Sequence, residues 1–235
     1  MTRHELKEQL QHDHFTDAVS HVFTYTQTHR QQVTRWVITG LVILVIAGGA
    51  FWYASYRSSV RQRDLQAAFD VLETPLATAN PSAEGKTFPS DQAKRDASMK
   101  ALADVVAKDG GTREGFVAQY YLGTLKAQNG DSKGAEADLQ AVANSSSQCA
   151  PLAKIALAEL YAGQNRTSEA QNLLREIVNK PAELVSKAQA QILLARLEGS
   201  TNPQEAKKIL QSLKKPNQDP AVARAADQIS AQLAK

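Results

Sequence analysis

The chain is short of everything that usually carries chemistry. It has one cysteine, few aromatic residues, and no histidine beyond His29. A lone Cys149 excludes an internal disulfide and ties the protein to neither an oxidising nor a reducing compartment. Cys149 also lacks a histidine in the C-terminal region to activate it, so it reads as a semi-buried structural thiol. A Gly-rich phosphate loop, HExxH and GxSxG are all missing. Together these absences point away from an enzyme, and they imply no cofactor, no metal and no small-molecule substrate. A net charge of +3 spread over 235 residues, with no basic cluster interleaved with aromatics, argues against nucleic acid. Asn144-Ser145-Ser146 and Asn165-Arg166-Thr167 match a glycosylation sequon, a pattern too common by chance to weigh. Alternating runs of Val, Ile, Thr, Tyr and Phe are scarce, which disfavours strands. Alanine, leucine, glutamine, lysine and glutamate dominate the second half instead, and all are strong helix formers. The expected fold class is all-α.

One segment is conspicuously present. Trp36–Ala54 reads WVITGLVILVIAGGAFWYA without a charge. As a helix it would span about 28 Å, near the thickness of a bilayer's hydrocarbon core. Trp36 stands at one end and Phe51, Trp52 and Tyr53 at the other, in the manner of two interfacial aromatic belts. Arg35 and Arg57 close the run with side chains able to snorkel outward. A cleaved signal is the competing reading, with Gly48-Gly49-Ala50 as small residues at a cleavage point. The preceding tail is long and mixed in charge, and the apolar run exceeds a usual signal core, so a retained transmembrane helix is preferred. Orientation is nearly a tie. Arg30 and Arg35 flank one side and Arg57, Arg61 and Arg63 the other, a slight lean toward a cytoplasmic C-terminal side.

The tail at residues 1–35 carries a rough apolar stripe and all five histidines: His4, His12, His14, His21 and His29. No carboxylate or cysteine converges with them at metal spacing, so they read as incidental on an amphipathic helix, a pH-sensitive contact staying open. Beyond the apolar run, residues 55–115 hold membrane-proximal helices, at Ser58–Glu73 and from Asp91 to the Asp109-Gly110-Gly111 stop. Between them lies a linker at residues 74–90 broken by Pro75, Pro81, Gly85 and Pro89. These helices form an atypical first hairpin.

Residues 116–220 repeat themselves. Leu122, Leu125, Ala135, Leu139 and Val142 recur 35 residues later as Leu157, Leu160, Ala170, Leu174 and Ile177. A third copy follows after 36 residues with Leu193, Ala206, Leu210 and Leu213. Each unit holds two helices separated by a tight turn, at residues 128–131, 163–165 and 199–203. A single hairpin cannot bury its apolar stripe, whereas stacked hairpins can, with residues 221–235 as a closing helix.

These positions resemble the tetratricopeptide repeat. Leu122-Gly123 stands where the motif has its Leu-Gly pair, and Ala158 and Tyr161 occupy its small and aromatic positions. Ala135, Ala170 and Ala206 take the small position where helices cross, and Pro181 and Pro220 fall at or near the motif's terminating proline. The motif's Trp is absent, Lys126 replaces an aromatic, and Leu194 stands where a small residue belongs. The resemblance implies an α-solenoid of hairpins behind a single transmembrane helix. It further implies a binding face on the first helix of each unit, mapping to Val117, Tyr120, Thr124, Leu152, Ile155, Glu159, Gln191 and Ala195. An apolar face of this kind suits hydrophobic segments better than an acidic peptide end. Equally, the same residues can be packed beneath a neighbouring hairpin.

A short tail, one anchor and three or four such hairpins also resembles the bacterial ancillary secretory-translocon subunits of the YfgM type. That resemblance implies an inner-membrane protein with a periplasmic C-terminal domain. Its implied partners are translocon subunits, periplasmic chaperones or exported polypeptides. A scaffold for another cell-envelope assembly and a cytoplasm-facing receptor are the alternatives.

Overall fold

The computed structural model describes residues 30–77, 87–214 and 219–233. Residues 1–29 of the N-terminal tail, with its five histidines, lie outside these residues, as does the middle of the Pro-rich linker. Among the described residues there are nine α-helices and no strand. The chain divides into two compact units, Met1–Ser59 and Val60–Lys235.

The described part of the first unit is helical and belongs to α1 (Arg30–Glu73). From residue 34 to residue 57 every side chain is exposed, the branched aliphatics included. The helix is long and apolar enough to cross a membrane. Trp52 and Tyr56, one turn apart, stack with ring centroids 6.0 Å apart. The helix expected at Ser58–Glu73 continues the apolar one, and α1 takes in both without a break.

In the second unit the last turns of α1 supply Ala68, which is buried with Leu102 and Val105 of α2 (Asp91–Asp109) and Ala118 and Leu122 of α3 (Arg113–Gln128). Arg61 pairs with Glu114 at 3.4 Å across this contact. The ends of the linker are tied together, Ala77 donating to the Phe88 carbonyl at 2.9 Å and Phe88 to that of Pro75 at 3.0 Å. Three hairpins follow: α3 with α4 (Ser132–Ala143), α5 (Ala150–Gly163) with α6 (Thr167–Asn179), and α7 (Lys187–Thr201) with α8 (Pro203–Ser212). Each hairpin also packs on the next, α4 on α5 and α6 on α7. The closing helix α9 (Pro220–Gln232) lies against α7 and α8. Pro220 therefore opens a helix, at its first position behind the Asp219 cap, instead of ending one.

The repeat read from sequence is a repeat of burial. Ala135, Ala170 and Ala206 have no exposed surface, and Leu139, Leu174 and Leu210 are at most 2% exposed. Gly123 explains how close the first hairpin is: a Cβ there would lie 2.8 Å from Leu139 Cγ. The first two turns are also copies of one another. Gly130 (φ 84°) and Asn165 (φ 62°) both adopt the left-handed conformation that ends a helix. The amide after each returns to the carbonyl five residues back, Asp131 to Lys126 at 2.9 Å and Arg166 to Tyr161 at 2.8 Å. The third turn departs from this pattern. Asn202 caps α8 with its side chain and Pro203 starts the helix, so no left-handed residue is needed.

Candidate protein-binding face

The first helices of the hairpins, α3, α5 and α7, carry the residues singled out by sequence, and the structure treats them unequally. On α3, Val117, Tyr120 and Thr124 are half-buried. The Tyr120 ring meets Tyr121 edge-on at 5.4 Å, and Tyr121 meets Phe69 of α1 in the same way at 5.0 Å. Burial, together with Tyr121, Glu159 and Cys149 nearby, pushes the Tyr120 hydroxyl above its ordinary range, so it stays a neutral donor at physiological pH. Tyr121, which sequence reasoning passed over, remains 41% exposed.

On α5, Ile155 and Glu159 line a cavity of about 280 Å³ between α5 and α7. Ala158 and Ala162 share this wall, and Leu174 of α6 also lines the cavity. The opposite wall is Leu193, Arg196 and Leu197 of α7. Small-molecule pockets run to roughly 300–1,000 Å³, so this volume suits a side chain of a polypeptide better than a whole organic ligand. Leu152 does not line the cavity. It is half-buried against Ile177, Val185 and Ala190, under the connection into α7, a cluster that Ile155 also touches.

On α7 the two mapped residues lie away from the cavity. Ala195 has no exposed surface and packs with Leu210, Leu213, Ala226 and Ile229. Gln191 is half-buried and does not line the cavity. Ala195 packs on Leu210 and Leu213 of its own hairpin partner α8, and Ala226 and Ile229 of α9 join the same cluster, whereas Ile155 and Glu159 face α7 across a gap. The residues of α7 that do reach the cavity look back toward α5.

Leu193 shows a second departure from the repeat. Its counterparts Leu122 and Leu157 are 4% and 2% exposed, but Leu193 is half-buried on the cavity wall. Leu194 is 5% exposed and joins the central core with Leu157, Tyr161 and Leu174. It stands where the earlier copies have Gly123 and Ala158. Ala195, with no exposed surface, packs with Leu210 as Gly123 packs with Leu139, so the buried pair of α7 is Leu194-Ala195, one residue later than a 36-residue step from Leu157-Ala158 would place it. Sequence carried one usable signal of this, the bulky Leu194 in a small-residue position.

Among the described residues no group of three or more His, Cys, Asp or Glu is arranged to hold a metal ion. What the face offers is apolar and aromatic surface, two phenols, one carboxylate and one guanidinium.

The profile of the tetratricopeptide repeat-like domain family matches residues 30–183. The match starts at the first residue of α1, takes in the apolar run and the first two hairpins, and ends before α7. No curated protein matches the chain significantly. The matched region is the larger part of the sequence and contains the hairpins whose small residues, turns and buried leucines repeat in register, so this chain belongs to the tetratricopeptide repeat-like domain family, a family of protein-interaction modules.

Proposed function

We propose that this protein is a membrane-anchored interaction module of the bacterial inner membrane, an ancillary component of the secretory translocon and chaperone network that contacts exported polypeptides in the periplasm. The observation that carries the reading is the extent of the family match, which begins at Arg30 and so includes the exposed apolar helix together with the hairpins. An apolar run whose residues are all exposed, as here from residue 34 to residue 57, is costly in water and favourable in a bilayer. The cavity and the aromatic stretch on the first helices suit hydrophobic segments of partner chains, as unfolded exported polypeptides present them.

A topology experiment tests the setting. Reporters active only in the periplasm or only in the cytoplasm, fused after Lys235, are expected to report the periplasm. A cytoplasmic signal would sink the export reading. Crosslinkers placed at Tyr120 or Ile155 are expected to capture translocon subunits, chaperones or exported chains. Loss of those adducts on Ile155→Asp supports the face, and unchanged adducts remove it.

The charges flanking the apolar run favour a second reading. Arg57, Arg61 and Arg63 follow it, against Arg30 and Arg35 before it, which by the positive-inside rule places the hairpins in the cytoplasm as a receptor. Long domains are exported largely regardless of such counts, and that is why the first reading is preferred. A scaffold for a different envelope assembly predicts a folded, constitutive crosslinking partner in place of unfolded clients.

A further inference from the structure

Several charges bridge the helices of the hairpins. Lys126 holds Asp138 at 2.6 Å, Lys154 holds Glu176 at 2.6 Å, and Arg166 holds Glu136 at 2.8 Å. The two charges on the cavity between α5 and α7 make no such bridge. Glu159 on one wall and Arg196 on the other are exposed, and neither makes an ion pair or hydrogen bond with a described residue, including with each other. Between them lie Ile155, Leu174, Leu193 and Leu197.

This arrangement discriminates among occupants. A wholly apolar segment would strip water from both charges and return nothing. An acidic segment would gain at Arg196 and be repelled by Glu159, and a basic segment the reverse. Only a segment carrying both signs satisfies both walls while its apolar side chain fills the middle. Long basic side chains can also lay their methylene stems over the apolar rim. We infer that the cavity receives an aliphatic side chain of a partner polypeptide flanked by one basic residue, held by Glu159, and one acidic residue, held by Arg196. This deepens, and rests on, the reading of this face as the protein-binding surface. Each rim contact is solvent-exposed, so matching one charge is worth about two- to fivefold in affinity, falling with salt.

The test uses four labelled synthetic peptides that share a central leucine and differ only in their two flanking residues: Lys and Glu, Lys and Lys, Glu and Glu, or Gln and Gln. Binding is read by fluorescence anisotropy against the full-length chain in lipid nanodiscs. The mixed peptide is expected to bind tightest, by about two- to fivefold over each single-sign peptide. Glu159→Lys is expected to make the Glu/Glu peptide the best ligand, and Arg196→Glu the Lys/Lys peptide. Both positions are exposed, and circular dichroism checks that the variants keep their helicity. If the ranking ignores both variants while Ile155→Asp still abolishes binding, the charge rule is wrong and the binding face stands. If no peptide binds a folded chain, both are overturned.

Discussion

Arg166 places its guanidinium carbon 3.8 Å from the centre of the Tyr161 ring while donating to Glu136 at 2.8 Å. Arg166 opens the second helix of the middle hairpin, Tyr161 lies on its first helix, and Glu136 belongs to the hairpin before. Arg166 also grips Glu169 with two hydrogen bonds of 2.7 Å, and the Tyr161 hydroxyl donates to Glu136 at 3.0 Å. One side chain thus joins two repeats through a cation–π contact and a fork of charge-assisted bonds.

Hydrogen bonds from Arg166 hold the carboxyls of both Glu136 and Glu169 below the usual carboxylate range. A depressed folded pKa means that the stabilisation is complete above the unfolded value, about 4.3, and is lost as pH falls through the folded one. The wild type is therefore expected to melt above Arg166→Gln at pH 7, with the gap shrinking as pH falls below about 4.3. A gap that is unchanged in acid, or missing at pH 7, would contradict the staple.

Gly123 predicts a collision. In Gly123→Ala the new methyl meets Leu139, which is fully buried and has nowhere to go. Overpacking of this kind costs about 1–3 kcal/mol, measured by denaturant unfolding. Leu139→Ala makes room, so the double variant is expected to lose less stability than the two single variants summed. Additive losses would show that α3 and α4 do not meet there.

Glu198 is 2% exposed and accepts from Arg175, whose own side chain is half exposed. Removing the arginine leaves a buried carboxylate unpaired, which costs about 2 kcal/mol, less than the 3–5 of a fully enclosed pair. In a Glu198→Gln background the same Arg175→Ala change is expected to cost about 0.5 kcal/mol or less, because no buried charge is left behind. Equal costs in the two backgrounds would remove this link between α6 and α7.

The closing helix has a prediction of its own. Ile229 is 4% exposed and packs over Ala195, Leu210 and Leu213. Ile229→Ala is expected to cost about 2–4 kcal/mol and to raise hydrogen exchange first in α7 and α8. Protection unchanged in those helices would mean that α9 does not cap the stack.

How far the face could be read in advance varied along the chain. Ile155 and Glu159 share one face of α5, as the motif's spacing expects, and that face lines the cavity. Ala195 lies inside, because the buried pair of α7 falls at Leu194-Ala195, one residue later than the repeat spacing places it. Arg196 carried no signal at all: an exposed arginine on a helix is the commonest of residues, and only the opposite wall gives it meaning.

The sequence by itself determined the apolar run Trp36–Ala54, the helical class, the 35- and 36-residue period, and the small residues at 135, 170 and 206. These are matters of local composition and spacing, and burial with a period of 3.6 is written along the chain. Only the tertiary structure decided which side of α7 meets the cavity, that Leu194 turns inward while Leu193 lines the wall, and which charges pair. Arg166 finds Glu136 and Arg175 finds Glu198 across sequence separations of 30 and 23 residues, distances over which no local pattern specifies a partner. Those choices depend on where the neighbouring hairpin ends and what covers the next one, and a sequence period holds no record of either.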